Sequence, residues 1–435
     1  MPFDLAELSV EELRSSDRIR EEAKRSDCRF CCGPDLCDRI KPHKDQTEMR
    51  RSETSIRTSH AGRLPAVGVA TNVAKGAGSD SATPQVVEVI KKQVQIGIDC
   101  VGDGEFWNGR NFLYYGQQLS GVTARELRPG ERGSGREETR ERDTFPKLYE
   151  DMDRVGTAFC VPGEEPRFFP SQKKMVVTGP IKGRATDAVR REIDVFKEAL
   201  KAAGGAEEAF ICVFAPGWLD HFIYDEHYGN EEEFVFALAD AMREEYHAVV
   251  DAGFILQIDD PGVVTSWDMI KPEPSVQDYR RYLKIRIDAL NHALTGIPED
   301  RVRHHFCWGS WHGAHTHDLP LKEIIDLVFQ VHAQTYSFEA GNVRHEHEWT
   351  IWKDVKLPAG KIIMPGVVSH ATNLVEHPEL IARRIRNFAD AVGRENVLAG
   401  TDCGLGTRVH DDLVWAKLSA LVEGARLASK ALWAG

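Results

Sequence analysis

Short apolar runs alternate with longer amphipathic stretches over most of this chain, and the alternation begins at Ser55. Nine runs have the length and β-branched content of buried strands. They are Ile56–His60, Ile98–Gly102, Met175–Thr178, Phe210–Phe214, Phe254–Ile258, the run leading to Cys307, the run leading to Glu339, Ile362–Pro365 and Val397–Ala399. Between them lie helical patterns. One starts at Thr83 with Pro84 at its first position and runs to about Gln95. Another starts at Asn230, where Glu233 completes a capping box, and runs to about Val250. Others span about 185–203, 275–294, 320–332 and 377–391. Repeated strand–helix units imply a parallel sheet, and eight of them close a barrel. The expected fold is therefore α/β, a (β/α)8 TIM barrel. The ninth run is then an extra strand or part of a hairpin.

Two segments break the rhythm. Residues 1–52 are rich in Arg, Asp, Glu and Ser, and only Leu5–Leu13 has helical spacing. Cys28, Cys31, Cys32 and Cys37 lie there, but no histidine or second CxxC follows at zinc-finger spacing. A disordered extension is expected, ahead of a catalytic barrel over 53–435. The second break, 124–172, is charge-dense, and too long for an ordinary connection. It is expected to be an insertion with a role at the site, such as a lid.

Composition narrows the class. The net charge of -13 and pI near 5.8 argue against nucleic acid or an anionic membrane as partner. No apolar run approaches the roughly 20 residues of a membrane span, and the polar N-terminus is not a signal peptide. Nine cysteines without a framework spacing indicate the reducing cytoplasm.

The chemistry centres on Arg303-His304-His305-Phe306-Cys307-Trp308-Gly309. Residues two apart on a strand point the same way, so the His305 imidazole and Cys307 thiol lie side by side. A mixed nitrogen and sulfur pair suits zinc. Glu339 and Cys403 stand at two further strand ends, where a barrel collects its site. His60, Asp103 with Glu105, Asp259 with Asp260, and His370 stand at others. Ligands from separate units favour a catalytic over a structural metal. Two thiolates and a carboxylate donate charge, which leaves zinc a poor activator of water. The same set suits binding and alkylation of a thiol.

These motifs resemble those of cobalamin-independent methionine synthase, in its catalytic C-terminal barrel. His305-Phe306-Cys307, Ser337-Phe338-Glu339 and Asp402-Cys403-Gly404-Leu405-Gly406-Thr407-Arg408 are similar to the family's zinc motifs. Gln257-Ile258-Asp259-Asp260-Pro261 resembles its Q-I-D-E-P, and Asp103-Gly104-Glu105 its H-G-E. The resemblance implies that Asp259 and Glu105 grip the ammonium of homocysteine. It also implies that His370, in Ser369-His370-Ala371-Thr372-Asn373, donates a proton to the leaving group. Two departures stand out. The family's I-G-S turn is Ala61-Gly62-Arg63 here, and Asp260 replaces a Glu. The length is that of the short single-barrel branch, which includes the epoxyalkane:coenzyme M transferases.

The expected protein is thus a zinc-dependent transferase that activates a substrate thiol as a zinc thiolate and alkylates it. The leading reading is methyl transfer from 5-methyltetrahydrofolate or another methyl donor to homocysteine or a related thiol. An epoxide-opening thiol transferase is the alternative, and a zinc-binding module without turnover a third reading. His305, Cys307, Glu339 and Cys403 are the expected metal ligands. Glu105, Asp259, Arg63 and Trp308 are expected at the substrate, with Trp218 and Trp311 as further candidates for an aromatic wall. Arg63 could select an anionic thiol, because a guanidinium matches a carboxylate or sulfonate. Homo-oligomerisation is left open.

Overall fold

The computed structural model describes residues 49–67, 83–106, 115–116, 118–133, 137–158, 172–183 and 186–434. The four N-terminal cysteines and the Leu5–Leu13 pattern lie outside them. Residues 44–435 form one compact unit.

Eleven strands are described. They are β1 (Arg57–Thr58), β2 (Cys100–Gly102), β3 (Leu119–Glu126), β4 (Lys173–Gly183), β5 (Glu208–Phe214), β6 (Ile223–Asp225), β7 (Ile255–Asp259), β8 (Val302–Phe306), β9 (Thr335–Phe338), β10 (Ile362–Val368) and β11 (Leu398–Thr401). Eight pair in the order β1-β11-β10-β9-β8-β7-β5-β2, all parallel. The remaining seam, between β1 and β2, is bridged through Asp99. Its amide donates to Thr58 O at 3.2 Å, and its carboxylate accepts from Thr58 N at 2.8 Å. With helices between the strands, this is the expected (β/α)8 barrel. The extra run at Met175 falls in β4, which pairs antiparallel with β3 and parallel with β6 outside the barrel.

Most helices follow the amphipathic pattern closely, at Thr83–Ile96, Thr186–Ala202, Glu231–Asp251, Val276–Ala293 and Pro378–Val392. Asn230 caps its helix by accepting from Glu233 N at 3.1 Å. One expectation fails. The pattern over 320–332 yields only a 3-10 turn at Leu321–Glu323 and one helical turn at Ile325–Val328. Most of its apolar residues are buried all the same, so tertiary packing overrides the helical period. A last helix, Asp411–Leu432, has no counterpart in the sequence reading. Among the described residues no helix is long and apolar enough to cross a membrane.

The barrel takes up the chain by Met49. Its side chain is buried among Cys100, Phe210, Cys212 and Ile255 at the N-terminal end, and Thr335 Oγ1 donates to its sulfur at 2.9 Å. Ser52 is also buried, donating to Val397 O at 2.6 Å.

The insertion leaves and returns through the β3–β4 hairpin. Its helices Arg140–Thr144 and Pro146–Val155 lie over the loops that follow β7 and β8. Arg140 Nη2 donates to Trp267 O at 2.7 Å, Thr316 N donates to Glu141 Oε2 at 2.6 Å, and His312 N donates to Ala158 O at 2.7 Å. Tyr149 donates to Glu141 and accepts from Trp311 Nε1. The described part of the insertion therefore covers one side of the barrel mouth.

Candidate metal centre at the barrel mouth

The polar strand-end residues stand at one end of the barrel because parallel strands all finish there. In register, Asp259 of β7 is level with His305 of β8, which is level with Ser337 of β9. Cys307, Glu339 and Cys403 each lie one or two residues past a strand end.

His305, Cys307 and Cys403 converge. One donor atom from each lies within 4.8 Å of the other two. The Cys307 thiol donates to Cys403 Sγ at 3.9 Å. Ser337 Oγ is 2.9 Å from His305 Nδ1, and His305 Nε2, though buried, has no partner among the described residues. Occupying Nδ1 in this way leaves Nε2 as the ligand atom. The shared proton holds the Cys403 thiol well below the usual range and pushes Cys307 well above it.

Glu339 is packed with His370 and Asp402 in a second group of the same tightness, and every member is buried. The hydrogen bonds explain the arrangement. Asn342 Nδ2 donates to Glu339 Oε2 at 2.6 Å and to Asp402 Oδ2 at 3.2 Å, and Asp402 Oδ1 accepts from the amides of Ala340 and Gly341. Glu339 Oε1 is left without a partner among the described residues. Burial pushes the Glu339 carboxyl well up, with the Asp402 and Cys403 charges adding to it. Asp402 is raised to about 7, also by burial, although the two amides oppose the rise. Gly366 makes room for this packing, since a Cβ there would lie 2.4 Å from Asp402 Oδ1.

Two thiols and two carboxyls thus share a buried site in which, among the described residues, His305 Nε2, His370 Nδ1 and Glu339 Oε1 lack a partner. A divalent cation held by His305 Nε2 and the two thiols would relieve that crowding of acids. The residues fit a metal with nitrogen, sulfur and oxygen ligands, and the sulfur pair fits zinc.

His370 is 2% exposed, and its Nδ1 lacks a partner among the described residues. Burial lowers its pKa to about 3, so the imidazole is neutral at rest. His60, grouped with the mouth residues by sequence, is a structural histidine. It is 2.8 Å from Gln93 Oε1, lies edge-on to Phe210, and is lowered to about 4 by burial.

A third cluster, Glu105, Cys212 and Asp259, lies beside Cys403. Gln257 Nε2 ties it together, donating to Asp259 Oδ1 at 2.7 Å and to Cys212 Sγ at 3.2 Å. Burial and the Glu105 charge push the Asp259 carboxyl well up. Arg63 Nη2 is 3.3 Å from Glu105 Oε2. Asp260 turns away, its Oδ2 3.2 Å from His304 Nε2.

Trp308 corrects the sequence reading. It is 1% exposed, donates to Leu319 O at 2.8 Å and stacks on His345 with ring centroids 3.7 Å apart. It fills core rather than facing a ligand, and Trp218 is buried likewise. Parity along the strand could have shown this, since Trp308 follows the inward-facing Cys307 by one residue. Ser337, Asn342 and Cys212 were not singled out by sequence, because nothing local marks a serine, an asparagine or a core cysteine as part of a site.

Residues 224–427 match the family model described as the cobalamin-independent synthase catalytic domain. A methionine synthase of Saccharolobus islandicus is 25% identical over 235 residues, which is 53% of this chain and 62% of that one. A 2-hydroxypropyl-CoM lyase of Xanthobacter autotrophicus is 24% identical over 273 residues, 56% of this chain and 68% of the relative. The chain thus spans about three fifths of the methionine synthase's length. Among solved structures, a B12-independent methionine synthase from Shewanella sp. W3-18-1 superposes with a TM-score of 0.65. It is 18% identical and covers 88% of this chain and 100% of its own. The fold is the single (β/α)8 barrel of that structure. The likeness to the cobalamin-independent methionine synthase superfamily, read first from motifs, is borne out by the family match.

Proposed function

We propose that this chain is a zinc-dependent transferase that alkylates a substrate thiol. His305, Cys307 and Cys403 would hold the metal throughout, and Glu339 would fill a fourth position that the substrate can take. The observation that carries this reading is the convergence of one imidazole and two thiol donors within 4.8 Å, with His305 Nε2 bare. Zinc bound there supplies a site at which a thiol ionises at neutral pH while its sulfur stays electron-rich.

The protein's own groups divide the remaining work. Asn342 holds one oxygen of Glu339 and leaves the other able to bind or yield. Asp259, Glu105 and Arg63 lie on the side of Cys403 where the rest of the thiol substrate would sit. The substrate sulfur forms a bond to the alkyl carbon as the bond from that carbon to the donor breaks, and the electron pair leaves with the donor. The thiol's proton goes to solvent on binding, and the His370 imidazole delivers a proton to the leaving atom as general acid. The insertion, resting on Trp311 and Thr316, would limit water at this step.

The leading reaction is transfer of a methyl group, with 5-methyltetrahydrofolate or another methyl donor and homocysteine or a related thiol. The relative named 2-hydroxypropyl-CoM lyase favours a second reading, in which the sulfur opens an epoxide and the freed oxygen takes the proton. A screen of thiols against methyl donors and epoxides on zinc-loaded protein, read by mass spectrometry, decides between them. No alkylated thiol in any combination would refute both.

A further inference from the structure

This inference rests on the reading above and concerns the class of thiol accepted. The group best placed to hold a substrate ammonium beside Cys403 is Glu105, and the protein has already given it a cation. Arg63 Nη2 stands 3.3 Å from Glu105 Oε2, and the two side chains are 29% and 14% exposed.

The pairing is built into the backbone. Gly406 N donates to Arg63 O at 2.9 Å, and a Cβ on Gly404 would come within 2.8 Å of Arg63 N. Gly404 directly follows Cys403, so Arg63 is held against the metal-ligand turn itself. Directly before Arg63, Gly62 adopts φ +129, and a Cβ there would lie 2.3 Å from Glu105 Oε1. Glu105, at φ 58, is turned towards this point. Two glycines therefore make the space in which Arg63 and Glu105 meet.

Asp259 is the other carboxylate of the cluster, and it too has a cation behind it. Arg303 is 1% exposed in the barrel interior. Its partners among the described residues are Ser59 Oγ, His60 O, the Met364 sulfur and the face of Phe210. No carboxylate pairs with it there, and its charge acts on Asp259 and Cys212. Asp103 is spent on its own turn, where it accepts from the Glu105 amide at 2.9 Å. An ammonium entering this pocket would have to displace Arg63 from Glu105. An anionic group would meet the exposed side of Arg63, whose planar fork matches a carboxylate or sulfonate.

We infer that Arg63 selects the acceptor, and that this enzyme takes a thiol carrying a carboxylate or sulfonate and no ammonium. Arg63 supplies internally the cation that an amino-acid thiol would otherwise bring.

The test is thiol binding to the full chain loaded with cobalt(II) in place of zinc, followed by sulfur-to-cobalt charge-transfer absorption. The probes are 2-mercaptoethanesulfonate, 3-mercaptopropionate, homocysteine and cysteamine. Losing one charge-assisted contact costs roughly tenfold or more in affinity. The two anionic thiols should therefore bind at least about tenfold more tightly than homocysteine, and cysteamine should bind most weakly. Arg63→Ser should cut the anionic affinities by a similar factor and improve cysteamine, because Glu105 is released. Arg63→Lys should keep the order with a smaller gap. Tighter binding of homocysteine or cysteamine to the wild type would overturn the inference and leave the thiol-transferase reading standing. Absence of a charge-transfer band with every probe would overturn both.

Discussion

Ser337 Oγ lies 2.9 Å from His305 Nδ1, across the β8–β9 register that sets the two residues side by side. That contact fixes which imidazole nitrogen is left for a metal. Partners of this kind typically govern metal affinity by 10–100-fold. Ser337→Ala should therefore keep the fold and weaken zinc by roughly that factor, as measured by competition with a chelator. Unchanged affinity would mean that β-strand geometry alone orients the ring.

The sulfur ligands should be less forgiving. Purified protein should carry about one zinc per chain, and Cys307→Ser or Cys403→Ser should lose most of it by elemental analysis. Cys212→Ser should retain it, because Cys212 Sγ belongs to the Gln257–Asp259 cluster. Full zinc in both ligand variants would refute the assignment.

His370 should act on turnover rather than on binding. His370→Asn should bind zinc and thiol as the wild type does, yet react roughly 10²–10⁴-fold more slowly. Wild-type rates would show that the leaving group needs no proton from this residue.

Met49 makes a prediction about stability. It is 4% exposed at the base of the barrel, so Met49→Ala should cost about 2–5 kcal/mol in denaturant unfolding, with zinc content unchanged. A cost below 1 kcal/mol would mean that the barrel does not need the strand-preceding segment.

His60 predicts the pH dependence. Its pKa falls from 6.5 unfolded to about 4 folded, so below pH 6.5 the unfolded chain binds a proton that the folded one does not. Stability must then fall as pH drops from 6.5 towards 4, by about 2 kcal/mol between pH 7 and 5 from this group alone. In His60→Gln the decline measured by urea unfolding should be shallower by that amount. Parallel curves for the two proteins would contradict the assignment of a neutral buried imidazole.

The barrel and the meeting of His305, Cys307 and Cys403 at its mouth were legible in the sequence because both depend on short-range regularities. Strand runs, helix caps and the two-residue spacing of His305 and Cys307 are local, and strand ends converge in any parallel barrel. What escaped depends on long-range packing. The 320–332 pattern gave bends instead of a helix because tertiary packing of its apolar residues outweighed the helical period. Trp308 was assigned to the mouth, although its parity places it against His345. Arg63 was noticed, but its meeting with Glu105 depends on space left by Gly62 and Gly404, which lie far apart in the chain. The insertion was read as a lid-like excursion and Met175–Thr178 as a strand, but the pairing with β3 and the two helices were not, since charged, Gly-rich sequence carries little periodicity.

The claim that a substrate thiol joins the metal is tested most directly by X-ray absorption at the zinc edge. Zinc-loaded protein should show two sulfur neighbours at rest, near the 2.3 Å typical of zinc–sulfur bonds. Adding an accepted thiol should raise the count to three while one oxygen neighbour is lost, with release of close to one proton per site. Glu339→Gln should reach three sulfurs at least as readily. A zinc shell that no thiol alters, with water retained at the open position and esters or amides hydrolysed, would contradict the account.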